Sequence, residues 1–311
     1  MPTGAGFMPG DLMSAVVALT GGSKEVRSLP TAIGRTAVGE WVAGDAALTA
    51  PYPYITVGTD RVYDPISIPV LLGTAASSLA AYAAEEEIAW GACIPARWGV
   101  DRGRAISLSA QLRASGVIQA DLKITTNLEA IAYAARLTDG GAINSALKGV
   151  DRLQILDLAG DCTEFGTVQK TKQDAAESIP MGLCHGLQQL RQQLPARIGP
   201  IPFSALLRSL QGDDAADPWV PTEAHMALMD ALPAAWETII AAWWAALVFH
   251  LDTRINPEIP LIISGEALAI PAIHALVSAQ YPDAVILDWY GAALGLARVQ
   301  VRQLRLAARA S

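Results

Sequence analysis

A short segment at residues 153–169, LQILDLAGDCTEFGTVQ, contains the residue types that most directly suggest chemistry. An apolar run ends at Asp157, a small turn follows, and a second apolar run leads back. Turns of this kind can hold phosphate through backbone amides, and a strand-end carboxylate can hold a metal ion through water. Gly160 permits close backbone approach, but Asp161 puts a negative charge where a phosphate would lie. Each like-charge pair at about 4 Å costs about 1 to 4 kcal/mol. The segment therefore predicts a phosphate-type loop that repels a triphosphate.

The same residues also have simpler structural interpretations. Asp157 can instead accept hydrogen bonds from local turn amides, as strand-end acids commonly do. Asp161 and Glu164 are predicted to be solvated loop carboxylates. Cys162 has no histidine near it in sequence and nothing that would lower its thiol pKa, so a buried small residue is favoured over a nucleophile.

Composition restricts the class of protein. The chain has 311 residues, of which 52% are hydrophobic and 17% charged, so it can bury a large core. Its net charge of -8 argues against nonspecific nucleic-acid binding, which requires basic surface. The three cysteines (Cys93, Cys162 and Cys184) show neither metal-ligand spacing nor a disulfide framework, which favours a reducing cytoplasm.

The chain shows no clear membrane signal. Its N-terminus lacks the basic start and unbroken apolar run of a signal peptide. The most apolar run, residues 234–251, is shorter than the roughly 20 residues that a membrane span needs and contains Glu237. A buried core helix without membrane insertion is predicted.

The elements that must position these residues alternate between strands and helices, which predicts an α/β fold. In the first half, strands are expected at 13–19, 25–34, 88–95 and 117–125, with helices at 66–87, 100–116 and 127–137. In the second half, the 153–169 unit precedes helices near 182–194, 203–219 and 234–251, a strand–helix pair within 259–282, and a final helix within 284–306. Each half thus contains a strand–turn–strand unit followed by strand–helix pairs.

Four segments resemble the nucleotide-binding domain of the Hsp70 family. Residues 92–137 are similar to the family's strand ending in Val-Pro-Ala, its Arg-rich helix and its Ala-Tyr-Gly helix. ILDLAGDCTEF resembles the second phosphate loop, Asp-Leu-Gly-Gly-Gly-Thr-Phe-Asp, and LIISGEALAIPAI resembles the adenosine-contacting Gly-Gly-Ser-x-x-Ile-Pro turn. DWYGAALGLA resembles the helix behind that turn. Segments in the family's order are more specific than a single glycine-rich turn.

This resemblance implies the two-lobed actin/Hsp70-like (ASKHA) fold, with two ribonuclease-H-like subdomains, reduced capping subdomains and a nucleotide cleft between the lobes. It implies lobe I at residues 1–150 and lobe II at 151–311, without a substrate-binding domain. A small helical insertion is expected at about 171–232, and the last helix is expected to pack back on lobe I.

Departures from the family pattern predict lost phosphoryl-transfer chemistry, which depends on positioning and electrostatic stabilisation. The family's first phosphate loop, Asp-x-Gly-Thr-Thr, is replaced by GFMPGDLM, and the strand before Asp11 is predicted to be missing. Thr125 stands where the family has its catalytic glutamate, and Glu129, one helical turn along, would point elsewhere. The γ-phosphate lysine is absent, and Arg61 in that region is not an equivalent replacement.

These departures favour an Hsp70/actin-like pseudo-ATPase that acts as a protein-binding scaffold or regulatory module. It would have no cofactor, no catalytic or metal residues, an unidentified protein partner and possible homo-oligomers. One alternative is a genuine ATP-binding protein with slow Mg²⁺-dependent hydrolysis, and another is an actin-like assembly subunit. If ATP or ADP binds, the candidate contacts are Asp157, Gly160, Cys162, Gly265 and Glu266.

Overall fold

The computed structural model describes residues 3–55, 63–83, 87–99, 102–118, 122–195, 203–212 and 222–310, which form three sheets surrounded by helices. The strands are β1 (Thr3–Met8), β2 (Met13–Thr20), β3 (Ser23–Pro30), β4 (Ile33–Arg35), β5 (Trp41–Ala43), β6 (Tyr52–Ile55), β7 (Ile88–Ile94), β8 (Leu122–Thr126), β9 (Arg152–Leu158), β10 (Thr163–Gln169), β11 (Lys172–Ile179), β12 (Leu261–Ser264) and β13 (Val285–Ile286). The helices are α1 (Asp45–Leu48), α2 (Ser67–Ser77), α3 (Ala80–Ala83), α4 (Arg102–Ala114), α5 (Asn127–Arg136), α6 (Leu183–Gln193), α7 (Phe203–Gln211), α8 (Thr222–Leu251), α9 (Pro271–Gln280) and α10 (Gly291–Ala310).

Two five-stranded sheets have the same topology. Their strand orders are β3-β2-β1-β7-β8 and β11-β10-β9-β12-β13. In each sheet the first three strands form an antiparallel meander, and the last two add in parallel. The duplicated topology confirms the predicted α/β class and the repeated layout of the two halves. A separate three-stranded sheet, with order β5-β4-β6, lies within the first half of the chain.

Helices α5 and α10 pack between the two large sheets. One hydrophobic cluster combines residues of β1, β2 and α5 with residues of β9, β12 and α10. The contact is close enough to require glycine, because a Cβ added at Gly6 would overlap the carbonyl of Ala293 and one at Gly295 would overlap the carbonyl of Ala130. The amide of Gln300 on α10 also donates to the Trp90 carbonyl on β7 at 2.9 Å. The last helix thus lies against the first sheet.

The close approach of α10 explains why the strand before Asp11 was wrongly predicted to be missing. Residues 3–8 form β1, which is buried throughout and pairs with β2 and β7. Its sequence, TGAGFM, lacks the alternation of large apolar residues that marks most strands. Gly4 and Gly6 are needed for packing against α10, and that reason is not visible in the local sequence.

Two other local predictions were wrong in extent. The single helix expected at 66–87 is divided, because α2 ends at Ser77 and α3 begins at Ala80. The Ser78 hydroxyl donates to the Ala75 carbonyl at 2.8 Å and competes with continuation of the helix. The strand expected at 117–125 is described only as β8, which ends at Thr126. Residues 84–86 and 119–121 lie outside the described ranges.

The helical insertion expected at about 171–232 is wrong at its start. Residues 172–179 form β11, a largely exposed edge strand that pairs with β10. The polar sequence KQDAAES does not predict a strand. These residues are extended because they form hydrogen bonds with β10, a tertiary contact that outweighs their local preference. Helices α6, α7 and α8 then pack together on the second half.

Helix α8 contains the apolar run that was predicted to be a core helix. Trp236, Ile239, Trp243, Leu247 and Leu251 are buried at helical spacing against the second sheet's core, which confirms that role for one face. By length and composition alone, the segment Met229–Leu251 is also able to cross a membrane. The absence of membrane insertion stays a prediction.

Candidate functional site

Three turns meet at the same edge of the two large sheets. They are the β1–β2 turn at residues 9–12, the β9–β10 turn at 159–162, and the turn after β12 that leads into a 3-10 helix at Glu266–Ala269. Gly265 enters this helix with a φ of 119°, a value that side chains other than glycine rarely adopt. This backbone conformation places the Glu266 side chain between the other two turns, where it is 4% exposed.

The Glu266 carboxylate accepts hydrogen bonds from four backbone N–H groups. Its Oε1 accepts from Leu12 at 2.9 Å and from Met13 at 2.6 Å. Its Oε2 accepts from Asp11 at 3.2 Å and from Gly160 at 2.9 Å. Converging backbone N–H groups form an anion-binding site. In this protein, a carboxylate of the same chain is the anion that they bind.

A second contact joins the β1–β2 and β9–β10 turns directly. The Asp11 carboxylate accepts from the Asp161 backbone N–H at 2.8 Å. The Asp161 side chain turns outward, is 49% exposed and pairs with Arg97 at 3.3 Å. The exposed side chain confirms that Asp161 is a solvated loop carboxylate, and the buried carboxylate between the turns is that of Glu266.

Glu164 is buried, although it was predicted to be a solvated loop carboxylate. It lies on β10, is 1% exposed and accepts from the backbone N–H groups of Ala96 at 2.7 Å and Arg97 at 3.2 Å. The Arg97 guanidinium also lies 3.7 Å from it. These partners follow β7, so a carboxylate of the second sheet is held by the first. Sequence reasoning missed this contact because the partners lie 67 and 68 residues away.

Asp157 ends β9 as predicted, but its partner is not a turn amide. Its carboxylate accepts from the side-chain amide of Asn127, the first residue of α5. Burial raises the pKa of Asp157 and the nearby Glu164 raises it further, while the Asn127 hydrogen bond lowers it. Asn127 was not among the predicted site residues. The only local signal for it was its place at the start of a helix.

Burial also governs the other titratable groups of the site. It raises the pKa of Glu266 to about 7, and the Asp11 charge adds to this, while the hydrogen bonds from the Met13, Leu12 and Asp11 backbone act in the opposite direction. Burial raises the pKa of the Cys162 thiol to about 12. Cys162 is 4% exposed, which confirms the buried small residue that the sequence predicted.

Little space remains among these groups. The cavity between the turns has a volume of about 40 Å³ as bounded by the described residues, and its lining includes Asp11, Tyr63, Asn127 and Glu164. Measured in this way, a cavity needs about 10 to 15 Å³ to hold one water molecule, whereas pockets for small organic ligands hold about 300 to 1,000 Å³. The cavity therefore has room for a few water molecules.

The structure brings the five predicted contact residues to one place. Asp157, Cys162, Gly265 and Glu266 line the small cavity, and Gly160 donates to Glu266. Glu129 points away as predicted, because its carboxylate accepts from Thr125 and from the Gln173 backbone at 2.9 Å. Arg61 lies outside the described residues. Across the described ranges, no group of three or more His, Cys, Asp or Glu side chains is placed to hold a metal ion.

Solved structures with the same fold cover nearly the whole chain. No family model matches the sequence, and no curated protein matches it. MreB5 of Spiroplasma citri bound to ADP superposes with a TM-score of 0.61 at 14% identity, covering 99% of this chain and 98% of that one. The ethanolamine utilization protein EutJ from Carboxydothermus hydrogenoformans gives 0.57 at 15% identity, covering 96% and 90%. A non-polymerising mutant of MamK bound to AMPPNP gives 0.51 at 16% identity, covering 96% and 98%. The chain has the two-lobed actin-like ATPase fold.

Proposed function

We propose that this chain is an actin-like protein that works through protein contacts, including assembly with copies of itself, without using ATP. The observation that supports this most directly is the Glu266 carboxylate, which is bound by four backbone N–H groups from the two turns that would otherwise face a phosphate. An internal carboxylate in this position replaces the charge of a phosphate and links the lobes without a ligand.

Size and charge support the same proposal. A nucleoside triphosphate is larger than the cavity of about 40 Å³ among the three turns, as the described residues bound it. It would also meet Glu266, Asp157 and Glu164, three buried carboxylates. Each of these carboxylates that is ionised repels a phosphate, most strongly in a partly desolvated site. MreB5 and MamK were solved with nucleotides bound, so the filled cleft of this chain departs from these neighbours of similar fold.

Self-assembly is included because of the neighbours. A non-polymerising mutant of MamK implies that polymerisation is a property of that protein. This chain spans nearly the full length of both MamK and MreB5, so its assembly surfaces can be compared over the whole fold. A scaffold that binds other proteins is the version of the proposal that remains if the chain does not self-assemble.

A second candidate function is ATP binding with slow Mg²⁺-dependent hydrolysis. Asp11 and Asp157 both line the cavity, as a pair of metal-binding carboxylates would. Such a cycle requires Glu266 to leave its four donors and the lobes to separate. Asp157 would need to be ionised to bind the metal ion, but burial raises its pKa.

Calorimetric titration with ATP and ADP, with and without Mg²⁺, separates the two functions. We expect no saturable heat up to about 1 mM nucleotide, which corresponds to about -4 kcal/mol of binding. Saturation with micromolar affinity would overturn the nucleotide-independent proposal. Attention would then move to Asp11→Asn and Asp157→Asn variants in a turnover assay.

Sedimentation over a protein concentration series tests assembly. We expect polymers or defined oligomers whose amount rises with protein concentration and does not change when ATP or ADP is added. A monomer at every concentration would remove self-assembly from the proposal. Assembly that occurs only with ATP would support the second candidate function.

A further inference from the structure

A second cavity lies at the opposite end of β9 and β10 from the filled cleft. It has a volume of about 510 Å³, and its walls come from the end of α5, the segment at 137–151, the β10–β11 turn and α10. Seven residues of β9, at about 3.3 Å each, separate the two ends of the strand. The cavity is therefore a site of its own, and its volume lies within the usual range for small-molecule pockets.

The cavity concentrates positive charge in an acidic protein. Five of its lining residues are Lys or Arg, against one carboxylate, that of Asp151, whereas the whole chain has 22 Lys and Arg and 30 Asp and Glu. The five are Lys123, Arg136, Lys148, Lys170 and Arg302. Such an excess of cations at one cavity indicates an anionic ligand.

The two arginines among these cations donate to neutral backbone groups. Arg136 donates to the backbone carbonyls of Val150 and Asp151, and Arg302 donates to the Gly141 carbonyl at 3.2 Å. The Nε of Arg136 is buried and has no hydrogen-bond partner among the described residues. Burial lowers the pKa of Arg136, as expected for a cation whose charge is incompletely compensated.

The two lysines at the rim carry no ion pair in the described part of the chain. Lys148 and Lys170 are both exposed, and neither forms a salt bridge there. Lys170 adopts a φ of 55°, which is uncommon for a residue with a side chain and belongs to the tight β10–β11 turn. Both ammonium groups are thus available to a ligand.

Most of the other lining side chains are apolar. Tyr133, Leu137 and Val299 are buried and form one small cluster. Ile143 and Leu306 also line the cavity, and they are 55% and 51% exposed. Exposed large apolar side chains beside a charged rim are typical of a binding site. The chemistry is therefore that of an anionic head beside an apolar body.

We propose that this cavity binds a small amphipathic anion, with a carboxylate, sulfonate or phosphate head at the cations and an aromatic or medium-length acyl body against Tyr133, Leu137 and Val299. The proposal does not depend on the state of the nucleotide cleft. A small molecule is favoured over a protein segment because the cavity volume of about 510 Å³ lies within the usual range for small-molecule pockets.

The probes are 8-anilinonaphthalene-1-sulfonate, followed by fluorescence, and decanoate as its competitor. We expect saturable dye binding that decanoate displaces at a concentration below about 1 mM, while decanol, which has the same chain length and no charge, displaces it at least about tenfold less well. Dye that decanoate fails to displace, or that decanol displaces equally well, would overturn the proposal.

Charge-reversal variants locate the site. Lys148→Glu with Lys170→Glu should weaken decanoate binding by about tenfold or more. Lys172→Glu is the matched control, because Lys172 is exposed on the neighbouring strand and does not line the cavity. Equal affinity in the control and the double variant would overturn the assignment. An acidic peptide that binds where decanoate and the dye do not would also overturn it, in favour of a protein interface.

Discussion

Replacement of Glu266 by alanine tests the internal carboxylate most directly. The change removes the acceptor of four backbone N–H groups, three from the β1–β2 turn and one from Gly160. An unsatisfied buried donor costs about 1 to 3 kcal/mol. Water will enter the enlarged cavity and accept hydrogen bonds from some of the four N–H groups. We therefore expect the free energy of unfolding to fall by about 3 to 5 kcal/mol, as when one partner of a buried charged network is removed. Urea unfolding followed by circular dichroism measures the loss.

The same variant should acquire an anion site. Four N–H groups would then converge on a space the size of a carboxylate, and inorganic phosphate should bind there. A ligand at 100 times its dissociation constant stabilises the folded state by about 2.7 kcal/mol. We therefore expect phosphate to raise the unfolding midpoint of Glu266→Ala, with chloride at equal ionic strength as the reference. The wild-type protein should show no phosphate-specific increase.

Glu129→Ala is the matched control for this experiment. Glu129 also accepts a backbone N–H, from Gln173, but it lies away from the turns that bind Glu266. It should lose stability without gaining a response to phosphate. The reasoning would be refuted by a Glu266→Ala variant as stable as the wild type, or by a wild-type protein that phosphate stabilises as strongly as the variant.

Four further predictions concern the same region. The raised pKa of Glu266 means that the folded state keeps a proton that the unfolded state releases, so the contribution of Glu266 to stability should be greatest below pH 4.5 and fall by up to about 3 kcal/mol as pH rises to about 7. Urea unfolding across this range should show a smaller slope in Glu266→Gln than in the wild type, with the remaining slope due in part to Asp157, whose pKa is also raised. Cys162, with a pKa of about 12 in place of 9.0, should react with iodoacetamide about a thousandfold more slowly in the folded protein than in urea, as mass spectrometry can measure. Arg97→Met removes the cation beside buried Glu164 and should cost about 1 to 3 kcal/mol in urea unfolding, whereas Arg152→Met, which breaks an exposed pair, should cost less than about 1 kcal/mol. Gly265→Ala introduces a Cβ that overlaps the Leu158 backbone at a position with a positive φ. It should lower the free energy of unfolding by about 1 to 3 kcal/mol or more, and with it the thermal midpoint. Gly73→Ala, in open space on α2, is the control.

Local sequence patterns were enough to predict several features of the fold. Alternating apolar segments predicted the α/β class, the 153–169 hairpin and most helices, because side-chain periodicity and chain reversal are set by neighbouring residues. The segments that resemble the Hsp70 family also identified five candidate contact residues, and all five lie at one site: Asp157, Gly160, Cys162, Gly265 and Glu266. The resemblance to Hsp70 in particular stays a prediction, since the structural neighbours establish the actin-like fold alone.

Which groups bind the buried carboxylates of the site depends on the tertiary structure. Glu266 finds its donors 106 and 253 to 255 residues away, and no local pattern specifies contacts over that separation. Glu164 looked solvated because its partners, Ala96 and Arg97, belong to the other sheet. Strand β1 was not predicted because its glycines are required by close packing against α10, which lies at the far end of the chain. Charge and periodicity can be read from neighbours in sequence, but burial and the partner of a buried charge exist only once the two sheets have been brought together.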